Sequence, residues 1–310
     1  MRQKLSKKQK IIMVILIAVA LNVISFCVAY TETFKPENAT YARDFSAYYL
    51  GEWRFFHNPT EIYAGGAQPG DYQILPHPQT FKYTPSFLIL FAPFLALSYQ
   101  NALTAFDLVQ LALIPALAFF VYKMVKDKNI VLGAIAAVII LIDPLPSPLI
   151  NSAGIVSLKA QSFSPSYYLG YALVNAHILQ TVLLIGALYL GFAKKPWLSA
   201  LLFAFGAFDP RAALLALPLL LWYNRQKLLQ FITATVTFVL ATNLPFFFYY
   251  GIGFAFLKTE VNGNIASQMY QYDWIPVYAV ATLTVVEIIT VISRKRKTPF
   301  EFSPKTDGLG

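Results

Sequence analysis

Apolar runs close to 20 residues long recur along the chain, and they constrain its fold more than any other feature. The runs cover residues 11–30, 85–122, 130–145, 166–193, 229–250 and 275–292. A helix needs about 20 consecutive apolar residues to cross a bilayer. Charged residues make up only 13% of the chain, against about a quarter of a soluble domain. The sequence therefore predicts an all-α polytopic membrane protein with no separate soluble domain.

Most basic residues stand in five short clusters between these runs. Seventeen of the 24 Lys and Arg residues lie at 2–10, 123–128, 194–195, 225–227 and 294–305. Lys and Arg near the ends of spans collect on the cytoplasmic side of a membrane. The pattern therefore predicts a multi-pass protein of the cell membrane with a cytoplasmic N-terminus. It explains the net charge of +9 by membrane topology, and no nucleic-acid partner is predicted.

The first run follows a basic tail, as a signal peptide would, but it is too long and has no small-residue cleavage site. It predicts a retained helix. Cys27 is the only cysteine, so the chain can form neither an intrachain disulfide nor a cysteine-based metal site.

The charge map places residues 31–84 in a large outer loop. The first part of that loop, 44–57, carries aromatic residues at helical spacing, which is typical of an amphipathic helix lying in the membrane interface. The region 85–122 then crosses an odd number of times. One full span after a partial or kinked helix fits, with Pro93 and a polar break at Gln100-Asn101, although two spans with a misread loop charge fit as well.

The segment 197–223 begins and ends beside cytoplasmic charges, so it enters and leaves on one side. Its 27 residues are too few for two full spans, which need about 40. It predicts a hairpin of two short helices with Asp209-Pro210-Arg211 at a buried tip, which needs protein or water around it. The count gives about eight membrane segments in one domain, residues 1–298, followed by a disordered tail, 299–310.

Asp44 is an acidic residue placed shortly after the first membrane exit. It precedes helix-like residues, so it is either a helix N-cap or a general base that takes the proton of an acceptor hydroxyl. Tyr48 lies one turn further on the same side of the helix and could line the same pocket.

Arg211 is the one basic residue within the hairpin. A charge at membrane depth usually faces a cavity or a partner, so Arg211 either pairs with Asp209 or binds a phosphate, which suits a planar guanidinium. Asp209 would share the substrate pocket in the second case.

The outer segments hold further candidates for substrate contacts. Asn175 and His177 open a long apolar span; His177 is either a phosphate donor or merely solvated. Lys159 and Gln161, in the second outer loop, are possible contacts to a lipid phosphate. No zinc or calcium spacing and no Gly-rich phosphate loop are visible, so no metal and no cofactor are predicted.

Several short motifs carry a family resemblance. They are Asp44-Phe45-Ser46-Ala47-Tyr48-Tyr49, then Tyr63, Phe81-Lys82-Tyr83-Thr84-Pro85, Phe91-Ala92-Pro93 and the hairpin through Phe208-Asp209-Pro210-Arg211. Over roughly residues 10–250 the chain is similar to the glycosyltransferase family 87 membrane proteins. The resemblance implies a multi-helix GT-C fold. It also implies transfer of a sugar, often mannose, from a polyprenyl-phosphate donor to a lipid or glycan acceptor outside the cytoplasm.

The resemblance implies Asp44 as the catalytic base. It places Arg211 near a position where the family commonly has a lysine before a proline, whereas here Asp209 precedes Pro210 and the basic residue follows it. A broken helix pair with a buried charge also suits a transporter or lipid flippase, and a non-catalytic membrane assembly protein is the third alternative.

Overall fold

The computed structural model describes residues 6–33, 43–63, 70–71, 75, 78, 81–126, 130–142 and 176–259. The α-helices in these ranges are α1 (Lys7–Thr33), α2 (Arg43–His57), α3 (Ser86–Leu95), α4 (Tyr99–Lys126), α5 (Ile130–Ile142), α6 (His177–Phe192), α7 (Pro196–Gly206), α8 (Pro210–Asn224), α9 (Leu228–Phe248) and α10 (Ile252–Thr259). Short 3₁₀ turns lie at Pro59–Glu61 and Arg225–Lys227. The described ranges contain no β-strand, which agrees with the predicted all-α class.

The outer surface of the described helices is strongly apolar. Large side chains such as Leu16, Ile139 and Leu229 are 62%, 57% and 78% exposed, whereas soluble proteins rarely expose wide apolar patches. By length and composition, two stretches of the described chain could cross a membrane: Tyr99–Lys126 and Ala216–Phe248. These features agree with the predicted membrane protein, while the count of about eight segments stays a prediction.

The region 85–122 forms a short helix followed by a long one, as predicted. Helix α3 has ten residues and contains Pro93, and α4 has 28. The predicted position of the break was wrong, because Gln100-Asn101 lies in the first turn of α4. The carbonyl of Ser98 accepts a hydrogen bond from the Ala102 N–H at 2.8 Å. Polar residues suit this exposed first turn because a helix N-terminus leaves its N–H groups without intrahelical partners.

Helix α2 confirms the helix predicted over 44–57, while its setting in the membrane interface stays a prediction. Residues 45–52 are all buried, because α2 packs against α3 and against the extended segment 81–85. Exposed aromatic surface begins only near the end of the helix, where Phe56 is 59% exposed. An aromatic pattern marks the buried face of a helix equally well in protein and in lipid, so the sequence could not distinguish the two.

The predicted hairpin is present as α7 and α8, joined by residues 207–209. Helix α7 packs between α6 and α9, and α8 lies mainly on α6. Helix α4 packs on α5 and α6, while α1 lies mainly on α5.

Two clusters of buried side chains form the interior. The aliphatic cluster joins α1 and α4–α9 and includes Ala18, Ile114, Leu117, Leu141, Ile185, Leu188, Ala200, Ala216, Leu220 and Ala234. The aromatic cluster joins α2, α3 and the start of α4 to neighbouring ends of helices and includes Phe45, Tyr48, Tyr63, Phe81, Phe87, Phe91, Phe106, Phe208 and Phe246.

Ring contacts fix the relative direction of the helices. The Phe106 ring lies 6.1 Å from that of Tyr48, whose hydroxyl binds the N–H of Ala176. Fourteen residues further along α4, Phe120 stacks on Tyr189 of α6 at 5.5 Å. Helices α4 and α6 therefore run parallel in nearly constant register.

The ends of α6 and α8 also meet, because Phe192 packs on Tyr223 at 5.9 Å. The basic segments 123–126, 194–195 and 225–227 consequently share one end of the bundle, here called the basic end. The aromatic cluster lies at the opposite end, here called the aromatic end. The side of the membrane that each end faces stays a prediction.

Candidate functional site

A network of tyrosine hydroxyls ties three segments together at the aromatic end. The Tyr48 hydroxyl, on α2, accepts a hydrogen bond from the Ala176 N–H at 2.9 Å and lies 3.2 Å from the Tyr83 hydroxyl. The Tyr63 hydroxyl donates to the Tyr83 carbonyl at 2.8 Å. Because backbone groups need partners when buried, these hydroxyls fix the non-helical residues beside α2 and the residue that precedes α6.

The tip of the α7–α8 hairpin is held from two sides. The Gln180 side-chain amide donates to the carbonyls of Gly206 at 2.9 Å and of Asp209 at 2.8 Å. The Thr84 N–H donates to the Phe208 carbonyl at 3.1 Å. Asp209 is only 5% exposed, so the tip is buried against protein, as expected of backbone that leaves the helical pattern.

These contacts bring the N-termini of α6 and α8 together at the aromatic end, and α2 is joined to them where the Tyr48 hydroxyl binds the residue before α6. Asp44 is the second residue of α2, one turn before Tyr48. His177 opens α6, and Arg211 is the second residue of α8, two positions after Asp209. Helix N-termini carry partial positive charge and unpaired N–H groups, so this arrangement suits an anionic ligand such as a phosphate.

Six of the predicted site residues have no described side chain. The structure describes only the backbone of Asp44, His177 and Arg211, so the roles of their side chains stay predictions. Lys159 and Gln161 lie outside the described residues, as does Asn175, and the site roles predicted for these three residues stay predictions too.

Tyr48 was expected to line a pocket with Asp44. The structure places Tyr48 on α2 one turn beyond Asp44, as the spacing predicted. Its side chain is completely buried, and its hydroxyl binds protein groups on α6 and on the segment 81–85. In this arrangement it positions the elements around the site.

Glu52 is a buried carboxyl on α2 that sequence reasoning missed. It is 1% exposed, and its Oε2 has no hydrogen-bond partner in the described part of the structure. Burial raises the pKa of Glu52 to about 8, because desolvation penalises the charged form. Its spacing of four and eight residues from Tyr48 and Asp44 puts all three on one side of the helix, and that spacing was legible in the sequence.

A buried ion pair fixes the first loop onto α2. Arg54 Nη2 lies 2.6 Å from Asp71 Oδ2, with both side chains at most 5% exposed. Arg54 Nη1 also donates to the Glu61 carbonyl at 2.9 Å. Asp71 therefore has a structural partner, and Arg54 organises the chain between α2 and the aromatic cluster.

Three further polar side chains are buried within the long helices. Asn22, Asp107 and Gln110 are each at most 1% exposed, and their side-chain oxygens and nitrogens have no hydrogen-bond partner among the described residues. Asp107 and Gln110 lie three residues apart, hence on one side of α4. Uncompensated polar groups at membrane depth are costly and commonly functional. The described residues contain no group of three or more His, Cys, Asp or Glu side chains that could hold a metal ion.

The helical fold, its apolar exterior and the convergence of helix N-termini at one end define a helical membrane protein with a site suited to an anion. Residues 81–274 match the family description Glycosyltransferase family 87. This match covers more than half of the chain, and the chain belongs to that family. The family identifies it as a membrane glycosyltransferase, with a sugar donor and an acceptor.

The match locates the family features along the chain. It begins at the segment 81–85 and includes His177, Asp209 and Arg211, whereas Asp44 and Tyr48 precede it. No curated protein and no solved structure matches the chain.

Proposed function

We propose that this protein transfers a hexose, with mannose as the first candidate, from a polyprenyl-phosphate donor to a lipid or glycan acceptor on the extracytoplasmic face. The observation that carries the proposal is the meeting of the α6 and α8 N-termini at the end opposite the basic clusters, with α2 joined to them through Tyr48. Cationic clusters favour the cytoplasmic side, so the aromatic end would face outward in a multi-pass protein of the cell membrane with a cytoplasmic N-terminus.

The donor phosphate is assigned to the starts of α6 and α8. Arg211 and His177 begin these helices, where N–H groups and the helix dipole add to the charge of a guanidinium or imidazolium. Lys159 is the third proposed phosphate ligand. Fixed positive groups at this place would stabilise the negative charge that develops on the departing lipid phosphate.

Asp44 is assigned as general base at the acceptor. It removes the hydroxyl proton while the acceptor oxygen forms a bond to the anomeric carbon, and the bond from that carbon to the phosphate oxygen breaks. The configuration at the anomeric carbon inverts, and the lipid phosphate leaves as an anion. Asp209, Asn175 and Gln161 complete the proposed substrate pocket, and Tyr48 positions the elements around it.

The test is sugar transfer by purified protein in liposomes supplied with radiolabelled polyprenyl-phosphate mannose or glucose. Asp44→Asn is expected to lower the rate by about 10²–10⁴-fold, the usual contribution of a general base. Glu61→Gln removes a carboxylate from the same loop, close to the end of α2, and should leave the rate unchanged. If Asp44→Asn were fully active, Asp44 would not be the general base, but the protein could still be a glycosyltransferase.

Matched arginines test the phosphate assignment. Arg211→Gln, at the aromatic end, should weaken donor use, whereas Arg225→Gln, exposed at the basic end, should not. If the wild-type protein transfers no sugar from any polyprenyl-phosphate donor, the donor class is wrong.

Substrate passage across the membrane is a second candidate, favoured by Asn22, Asp107 and Gln110, whose side chains lie inside the long helices without a hydrogen-bond partner among the described residues. The same liposomes distinguish it from transfer. A transporter would move the labelled lipid between leaflets without forming product, and Asp107→Asn would change that flux.

A further inference from the structure

Two basic turns lie side by side at the basic end. The turn between α6 and α7 holds Lys194 and Lys195, and the 3₁₀ turn Arg225–Lys227 joins α8 to α9. Asn224 lies directly before the second turn, and its side-chain amide donates to the Ser199 hydroxyl of α7 at 3.2 Å. The two turns are therefore anchored to each other by a buried contact.

The first turn is rigid, and its backbone donors are already used. The Lys194 N–H binds the Gly191 carbonyl and the Lys195 N–H binds the Leu190 carbonyl, each at 2.9 Å. This pair of bonds, with Lys194 at φ 61°, forms the Schellman ending of α6. A ligand at this surface would consequently meet the lysine side chains and not free backbone groups.

Exposed apolar side chains flank these charges. Trp197 and Leu198 are 49% and 48% exposed, Trp222 is 42% exposed and Leu229 is 78% exposed. The Arg225 guanidinium lies 4.1 Å from the centre of the Trp222 ring, which holds this cation beside an indole. Tryptophan and basic side chains together mark the level of lipid headgroups, so this surface fits a membrane better than an acidic soluble protein.

The positive charge is not balanced by acidic residues in the neighbouring sequence. Residues 189–200 and 220–230 contain no Asp or Glu. In the connection outside the described residues, Asp127 and Lys128 cancel in net charge. Basic groups at a membrane surface attract anionic lipids with about 1 kcal/mol per Lys or Arg.

We propose that the surface formed by Lys194, Lys195, Trp197, Trp222, Arg225 and Lys227 binds the phosphate headgroup of an anionic phospholipid. The cations contact the phosphate and the indoles lie against the glycerol and upper acyl region. This site is at the opposite end from the proposed transfer site and does not depend on it.

The test compares two pairs of exposed lysines. Lys195→Gln/Lys227→Gln removes two charges from the proposed surface, while Lys82→Gln/Lys258→Gln removes two exposed charges from the aromatic end. Purified full-length protein in a neutral detergent is titrated with phosphatidylglycerol or phosphatidylcholine. The readouts are the midpoint of thermal unfolding and the number of lipids retained in native mass spectrometry.

Phosphatidylglycerol should raise the wild-type midpoint with saturation, and phosphatidylcholine should not. The Lys195/Lys227 variant should require about thirtyfold more phosphatidylglycerol, and the Lys82/Lys258 variant should behave as wild type. The proposal would be overturned if both lipids raised the midpoint of thermal unfolding equally. It would also be overturned if the two double variants lost the response to phosphatidylglycerol to the same extent. An oligoglutamate peptide that stabilises the protein as well as phosphatidylglycerol would assign the surface to an acidic protein partner instead.

Discussion

The aliphatic and aromatic clusters hold different kinds of structure. In the aliphatic cluster, fully buried alanines such as Ala187, Ala200 and Ala234 let regular helices approach closely, as small residues do in membrane bundles. In the aromatic cluster, rings pack edge to face and tyrosine hydroxyls bind backbone groups. The first arrangement needs only helix faces, whereas the second also stabilises the extended segment 81–85 and the starts of helices. The candidate site lies where backbone leaves the helical pattern, and there the protein uses aromatic and polar side chains.

The largest expected effect tests the ion pair of the aromatic end. Asp71→Ala leaves the Arg54 charge buried without its partner and should cost about 3–5 kcal/mol of unfolding free energy. Thermal unfolding in detergent measures the loss. The double variant Arg54→Met/Asp71→Leu should recover much of it, because no buried charge remains. If Asp71→Ala were as stable as the wild type, the Arg54–Asp71 ion pair would not be what holds the first outer loop onto α2.

The Tyr48 hydroxyl provides the next comparison between the clusters. Tyr48→Phe leaves the buried Ala176 N–H without its acceptor and should cost about 1–3 kcal/mol. Tyr189→Phe, beside the aliphatic cluster, is the matched control because the Tyr189 hydroxyl makes no hydrogen bond in the described part of the chain. Equal midpoints of thermal unfolding for the two variants would contradict the difference drawn between the clusters.

A Gly→Ala substitution in each cluster compares how well the surrounding side chains accommodate an added Cβ. A Cβ at Gly51 would lie 2.5–3.0 Å from three carbons of Phe81, whereas at Gly186 it would meet the end of Leu202 at 2.9 Å and only the far edge of the Phe120 ring, at 3.2 Å. A Leu terminus can rotate, but a ring held among other rings must move as a body. Gly51→Ala should cost about 1–2 kcal/mol. Gly186→Ala should lie within about 1 kcal/mol of wild type, because alanine is the better helix former. Thermal midpoints that fall by the same amount would show equally rigid clusters.

The last comparison is a pH dependence from Glu52. Its folded pKa of about 8 lies above the ordinary value of about 4.3, so the folded state binds the extra proton between these two pH values. Stability is therefore highest below about pH 4.3 with respect to this group and falls as pH rises toward 8. The melting temperature should drop between pH 5 and pH 8.5 in wild type, and less in Glu52→Gln. Parallel curves would show that Glu52 does not carry this dependence.

Local patterns predicted much of the fold. The helix over 44–57, the short helix before α4 and the α7–α8 hairpin followed from apolar spacing, Pro93 and the charges that flank residues 197–223. The break at Gln100-Asn101 was wrong because polar residues are as suitable for an exposed first helical turn as for a loop. The sequence did not show that Phe45 and Tyr49 of α2 face protein, because the pattern shows which side chains are buried but not what buries them. The interfacial setting of α2 stays a prediction.

The candidate site was only partly predictable. Asp209 and Arg211 were placed at the hairpin tip from a proline and a buried charge, and α8 begins there. Gln180 and Tyr83 could not be assigned their contacts from sequence, because they bind backbone carbonyls and hydroxyls far away in the chain. Glu52 was legible as a helical neighbour of Asp44, but its burial depends on elements that pack around α2.

The sequence by itself determined the class of the protein and the segregation of its charge, because apolar length and basic clusters act through solvation by lipid and water at each residue. It also carried the motifs of its family. Only the tertiary structure decided that α4 and α6 run parallel, that the N-termini of α6 and α8 meet at the aromatic end, and that two basic turns adjoin at the other. Those outcomes depend on ring packing and hydrogen bonds between residues far apart in the chain, from Asn224 and Ser199, 25 positions apart, to Tyr48 and Ala176, 128 positions apart, which no local pattern encodes.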